Sequence, residues 1–443
     1  MKQMLTYFGL LGLVMSLSMA LLSCAGSPMV PAEEIFPTPT ATLVPVQSVV
    51  PVFTPTATLV PVQSTPFAVK NKPTVIPSYN NKINKSASAK ILSVKAPEIK
   101  DIETWINTKE ITTHDLEGEV YLVDFWTYTC VNCVRTFPYL RSWYQKYSDL
   151  GLIILGIHTP EFEFEKSIDN VTHAVIASGI EYPVALDNNR TTWNSFKNRF
   201  WPAKYLVDKN GYIRYTHYGE GNYSQTEQWI RELLIEAGKD VSQIYSGVYK
   251  DSVVVPKAIT ADPATSLTRE IYTGYERNIE ALVTRSIPPY VVQEEYYAQQ
   301  ELEIEYRDIW NGTYQNHFVY LHGLWINKSE SLVHARQTDD YEDYIALKFY
   351  ATSVNAVMGN LGDDELNVKL TIDGQPLVQN QAGLDVWFDE KGESFVTVSR
   401  FDIYNLVNLT EIASHEFMLS SKSLNFAIYS FTFGAYLYGE PAW

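Results

Sequence analysis

The sequence predicts an α/β domain followed by an all-β sandwich, both carried behind a long extended lead-in. Three observations predict it. An apolar run from Val120 to Trp126, a Cys-x-x-Cys pair at Cys130 and Cys133, a helically spaced stretch from Val134 to Tyr147 and a second apolar run from Gly151 to Ile157 read as strand, turn, helix, strand. Beyond about residue 266, short alternating runs separated by turn residues argue a sandwich. Ahead of both domains, dense proline favours polyproline II over packed structure. The 443 residues are enough for more than one domain, and 46% hydrophobic with 13% aromatic residues can build real cores.

The first element is residues 1–23, with Lys2 ahead of an apolar stretch from Leu5 to Leu22 and Ser23 before Cys24. This resembles the lipobox of bacterial lipoprotein signal peptides, which would make Cys24 the lipidated first residue of the mature chain and the protein extracytoplasmic, anchored to a bacterial membrane of the cell envelope. A plain signal peptide or a signal anchor is the alternative. No second run of about 18 apolar residues follows. Residues 24–96 form the expected tether, in which Thr38–Ser48 recurs unchanged as Thr54–Ser64. As a flexible coil it would reach on the order of 45 Å from the lipid.

Charge and cysteine usage exclude two classes. A formal net charge of -17 argues against nucleic acid, because phosphate binding relies on clustered Lys and Arg. Three cysteines cannot staple a chain of this length.

The α/β unit, expected over residues 97–240, carries the chemistry. A helix N-terminus presents unsatisfied N–H groups and partial positive charge, which favour a thiolate. Cys130 at the first turn would be the exposed nucleophile, and Cys133, pointing inward, would resolve the mixed disulfide. Asp124 sits in the preceding apolar strand, where an acid is costly unless it has a task; it could take the proton of Cys133. A zinc site would need two further ligands, and the eight histidines show no paired ligand spacing. A structural disulfide closing a two-residue loop would stabilise little. Redox activity, with no metal and no cofactor beyond the two thiols, is the expectation. Trp201-Pro202 precedes a strand, Lys204 to Val207, which a proline can only start or edge. Asp208-Lys209-Asn210-Gly211 turns into Tyr212 to Tyr215, and Thr226 to Ala237 is an amphipathic closing helix. His158, at the end of the second apolar run, could line the same edge as Cys130, although a histidine without a catalytic part is the favoured reading.

Leu122-Val123-Asp124-Phe125-Trp126 ahead of Cys-x-x-Cys resembles the thioredoxin superfamily. Trp126 to Thr136, Gly156 to Glu165, Tyr182 to Asn188 and Trp201 to Asp208 resemble more closely the soluble part of DipZ-type proteins, in the TlpA-like branch. The resemblance implies a thioredoxin-like domain in which Cys130 and Cys133 are the redox pair, Asp124 the buried acid and Pro202 the cis-proline facing them. It implies a reductase of disulfide-containing extracytoplasmic proteins. Members of that family carry a membrane-embedded electron-delivery domain, so a separate membrane donor of the CcdA/DsbD type is expected here. Thr129 and Val131-Asn132 depart from the thioredoxin pattern, so the redox poise cannot be borrowed from it.

Residues 241–265 read as a linker and residues 266–443 as the sandwich. Ile345, Leu347 and Phe349 alternate, as do Val368, Leu370 and Ile372, and Asp373-Gly374 supplies a hairpin turn. Further strands are expected at Leu302 to Tyr306, Phe318 to Leu321, Phe395 to Arg400, Phe417 to Ser420 and Leu424 to Phe433. Glu270 to Arg277 and Phe431 to Gly434 resemble the C-terminal domain of DipZ-type proteins, which implies a carbohydrate-binding-module-like sandwich. Trp325 or Trp387 could then stack on cell-wall glycan, although Trp in strands more often packs a core. Asp363-Asp364-Glu365 reads as a solvated turn. Two other readings stay open: an oxidase or isomerase of secreted proteins, and a glycan- or partner-binding lipoprotein whose α/β domain is a scaffold.

Overall fold

The computed structural model describes residues 94–247, 249, 262, 265–285 and 287–436, all within one compact unit, Ile83–Trp443. Cys24, the apolar leader and most of the tether lie outside the described residues.

The α/β domain is built on β3 (below), an apolar strand buried on both faces. In chain order its elements are β1 (Val94–Lys95), β2 (Trp105–Ile106), β3 (Val120–Trp126), α1 (Val131–Val134), α2 (Phe137–Tyr147), β4 (Leu152–His158), α3 (Ile168–Ala177), β5 (Val184–Leu186), α4 (Thr191–Ser195), β6 (Ala203–Val207), β7 (Tyr212–Tyr218) and α5 (Tyr223–Glu236). The sheet order is β1-β7-β6-β3-β4-β5-β2, with β3, β4 and β5 parallel and β6 antiparallel to β3. Alternate residues of β3 feed two cores, as the two-residue period of a strand requires. Val120, Leu122 and Trp126 pack with α2, α3 and α5, while Tyr121, Val123 and Phe125 pack with Trp193 and Phe196. Gly156, beside Asp124 in the register, is required by close approach: a Cβ there would lie 2.9 Å from Trp126 Nε1 and 3.0 Å from the Tyr182 ring.

The expected boundaries shift at both ends of this domain. β1 pairs with β7 through Val94↔Ile213, so the sheet begins inside what reads as tether. Residues from 241 onward do not all act as linker. Val241 is buried in the core, Arg231 donates to the Val241 and Ile244 carbonyls, and Trp143 Nε1 donates to the Tyr249 hydroxyl at 3.0 Å. Apolar residues every few positions (Val241, Ile244, Tyr249) were the signal of a strap that packs.

The second domain comprises β8 (Ile271–Tyr272), α6 (Tyr275–Thr284), α7 (Glu295–Ala298), β9 (Glu303–Tyr306), β10 (Val319–Asn327), β11 (Leu332–His334), β12 (Asp343–Asn360), β13 (Leu366–Ile372), β14 (Gln375–Pro376), β15 (Val386–Phe388), β16 (Ser394–Val398), β17 (Asp402–Ser421) and β18 (Phe426–Gly434). They form one antiparallel system, β15-β16-β13-β17-β12-β10-β11-β18-β8, around a single core that includes Trp325, Phe349, Leu370 and Phe431. It folds back on itself because β12 changes partners. Its first half lies between β10 and β17, its second between β18 and β17, with register shifts between Ala351 and Asn355. Such bulges bend a strand and let it pass from one layer to the other. Asp373 and Gly374, both at positive φ, make the expected tight hairpin turn.

In the first half of β12 Tyr344, Lys348 and Tyr350 are partly exposed, whereas Ala351 to Gly359 is buried without interruption. Val357 in this second half packs in a cluster with Val131 and Phe162 of the α/β domain. Trp325 is fully buried, with Nε1 donating to the His322 carbonyl, so it is a core residue and cannot stack on a sugar. Trp387 remains 39% exposed, lying on Phe395.

Candidate active site

Cys130 ends the loop after β3 in extended conformation and caps α1; its sulfur accepts from the Cys133 N–H at 3.3 Å. The two sulfurs lie 2.6 Å apart, and both are free thiols. Cys130 is half-buried and Cys133 fully buried. Burial pushes the Cys133 thiol well above its ordinary range, and Cys130 and the Asp124 carboxylate push it further the same way. The pair is therefore asymmetric: one sulfur at the surface, one that needs a base before it can attack.

The candidate base stands in β3. Asp124 is fully buried, and its one partner among the described residues is the Lys204 ammonium, 3.2 Å away and also buried. The two are direct neighbours across β3 and β6. Burial raises the Asp124 carboxyl above the usual carboxylate range, and Lys204 opposes that shift without cancelling it. A raised, thinly solvated carboxylate is suited to accepting a proton. The Trp201–Pro202 peptide is cis, as the resemblance implies, and Trp201 lines the same cleft as Cys130.

His158 does not share the open edge with Cys130. It is fully buried behind Tyr128, on whose ring it stacks, and Nε2 meets the Thr127 hydroxyl at 3.3 Å. Burial lowers it to about 3, so it is neutral.

Three features were missed in the sequence. Lys204 is one; a lysine inside a short strand of otherwise buried residues was its signal. Glu165 is the second. Its Oε1 accepts from the Thr129 hydroxyl at 2.5 Å and Oε2 from the N–H groups of Glu161 and Phe162, which ties the loop after β4 to the residue next to Cys130. Burial raises it to about 7. The third is the β domain itself. Val131, between the cysteines, is 2% exposed because it packs with Phe162 and, from the β domain, Val357, Ile403 and Tyr429. Tyr272 and Arg277 bind Glu161 at 2.8 and 3.2 Å, the Glu330 carboxylate accepts from Glu163 N, and Tyr436 accepts from Arg135 and donates to Glu220. Nothing in the local pattern of either domain encodes this contact.

The fold and this dithiol, acid and cis-proline define a thioredoxin-fold domain built for thiol–disulfide chemistry. Comparison agrees: residues 92–232 match the Redoxin family model, and residues 268–434 match the family described as Thioredoxin like C-terminal domain. The chain is similar to Protein DipZ of Mycobacterium tuberculosis (43% identical over 182 residues, 40% of this chain and 25% of that protein). It is similar to human NHL repeat-containing protein 2 (30% over 197 residues, 42% and 27%). It is also similar to thiol-disulfide oxidoreductase YkuV of Bacillus subtilis (27% over 141 residues, 32% and 94%). The chain spans about a quarter of the length of the first two relatives.

Proposed function

We propose that the protein is a thiol–disulfide oxidoreductase that reduces disulfides of extracytoplasmic proteins, held to a membrane by lipid on Cys24 and recharged by a separate membrane electron donor. The observation that carries the chemistry is a half-buried thiol paired with a buried one that feels the charge of an under-solvated carboxylate. In the reductive direction, the Cys130 thiolate attacks a substrate disulfide, forming a mixed disulfide and releasing one substrate thiolate. Asp124 takes the Cys133 proton, and Cys133 displaces the second substrate thiolate, leaving Cys130–Cys133 oxidised by two electrons. The two released thiolates take up protons, one of them that held by Asp124.

The electron flow is tested by equilibrating the pair against a glutathione or dithiothreitol buffer. A potential near about -270 mV supports a reductase, and one near about -120 mV would make the protein an oxidase. Cys130→Ser is expected to abolish exchange. Anchoring is tested separately by metabolic labelling with a radioactive fatty acid, in which label on the full chain and none on Cys24→Ser supports the anchor.

A further inference from the structure

The β domain packs over the face of the α/β domain on which Cys130 opens, and among the described residues a cleft between the two domains leads to Cys130. Val131 is sealed by Val357, Ile403 and Tyr429, and the Tyr128 hydroxyl is tied to the Phe401 carbonyl at 3.3 Å. The loop after β4, on the side of Thr129, is bound by Tyr272, Arg277 and Glu330. The start of α2, behind Cys133, is bound through Arg135 to Tyr436. What remains is a cleft of about 290 Å³ above Cys130. One wall is the α/β domain's Arg199 to Trp201; the other is the β domain's Glu270, Tyr272 and Thr432. The volume is at the small end for ligand sites, and the walls belong to two domains that bury an apolar seam between them.

We infer that the β domain sets the substrate class: Cys130 takes disulfides on a slender carrier, an extended peptide segment or a low-molecular-weight disulfide, and excludes disulfides on a folded surface. This deepens the oxidoreductase reading and rests on it. Attack on a disulfide requires the approaching sulfur in line with the S–S bond, and a misplacement on the order of 1 Å costs about 10²-fold. A globular carrier halted at the rim by Phe200, 53% exposed, and by the β-domain wall cannot reach that geometry. Both carboxylates (Glu161, Glu270) and guanidinium groups (Arg199, Arg277) face the cleft, so an extended chain with mixed polar flanks is accommodated, while a purely apolar one is not favoured.

The test uses the full chain, reduced, with three substrates: hydroxyethyl disulfide, a short unstructured peptide with one internal disulfide, and a folded protein with a solvent-exposed disulfide. Each rate is divided by the rate of the same substrate with dithiothreitol. The expected result is normalised rates for the first two at least about 10²-fold above the third. Peptide and small disulfide are separated by their relative rates. A second reading measures alkylation of Cys130 by iodoacetamide and by a maleimide on a long polyethylene glycol, and expects the large reagent to be selectively slowed. Loosening the seam, with Phe401→Ala and Tyr429→Ala or, where that pair fails to fold, Glu330→Gln with Tyr436→Phe, is expected to raise the folded-protein rate by about tenfold. Equal normalised rates for all three substrates in the wild type, or equal alkylation by both reagents, would overturn the inference and leave the oxidoreductase reading standing. Loss of reaction with all three overturns both.

Discussion

Two fully buried aspartates, Asp124 in the α/β domain and Asp343 in the β domain, are solvated in opposite ways. In the β domain, Asp343 at the start of β12 is saturated. Arg336 binds it with Nε at 2.7 Å and Nη2 at 2.5 Å, His334 Nε2 lies at 2.8 Å, and the Leu324 N–H donates at 3.2 Å. These partners hold its carboxyl below the usual range against the cost of burial. In the α/β domain, Asp124 has Lys204 alone among the described residues, and its carboxyl is raised. A buried acid that serves structure is given every hydrogen bond it can accept, since an unmet one costs free energy. A buried acid that must accept a proton is left short of them. The shortage of partners sets Asp124 apart from Asp343 and fits the proton-accepting role proposed for it.

Removing Asp343 should have the largest effect on folding. Asp343→Ala leaves Arg336 and His334 facing an empty site and is expected to cost about 3–5 kcal/mol in urea unfolding, with exchange per folded molecule unchanged. Gly323 sharpens this, since at φ +94 a Cβ would lie 2.1 Å from the Asp343 carboxyl carbon; Gly323→Ala should damage the same cluster.

Asp124→Asn should instead slow the resolving step, read by stopped-flow decay of a mixed disulfide, by about 10²-fold. Because it strands the Lys204 ammonium, it is paired with a second variant. Asp124→Asn with Lys204→Met removes both charges and is expected to recover wild-type stability or exceed it, while resolution stays slow. Recovery of the rate together with the stability would show that the pair acts only in folding.

Titration separates lowered from raised carboxyls by sign. A lowered carboxyl such as Asp343 stabilises the fold above its unfolded value of 3.8, and that contribution is lost as pH falls through its depressed folded value. A raised one does the reverse. Glu165, moved from 4.5 to about 7, contributes fully below pH 4.5 and loses that contribution as pH rises through 7. Unfolding midpoints between pH 4.5 and 7 should therefore carry a falling component that Glu165→Gln removes, whereas Asp343→Asn should flatten the acid limb. The smallest effect is expected at the hydrogen bond itself: Thr129→Val removes the hydroxyl on Glu165 and should cost about 1 kcal/mol in thermal unfolding.

The parts of this site legible in the sequence are those encoded locally. A Cys-x-x-Cys between an apolar strand and a helix, an aspartate in that strand, and a Trp-Pro before another strand each announce themselves within a few residues; the structure places the two sulfurs 2.6 Å apart, buries Asp124 in that strand and makes the Trp201–Pro202 peptide cis. Lys204 was visible as a charge in a short strand, but its meaning depends on the β3–β6 register, which pairs residues 80 positions apart. The β domain was legible as many short strands, yet of its two long strands only Ile345 to Phe349 and Phe417 to Ser420 were read, because bulges within the β12–β17 pairing break the alternation that identifies a continuous strand. The seam over Val131 was illegible for a different reason. It joins residues more than 200 positions apart, and each alone reads as an ordinary core position.

The central claim is that Cys130 attacks and Cys133 resolves. Reduced Cys133→Ser and Cys130→Ser chains, each mixed with the same unstructured peptide disulfide and quenched in acid, test it by mass spectrometry. The account predicts rapid, stoichiometric accumulation of a peptide adduct on Cys130 in the first variant and a far slower reaction in the second, whose remaining thiol is buried. Comparable adduct formation on Cys133, or none on Cys130, would contradict it.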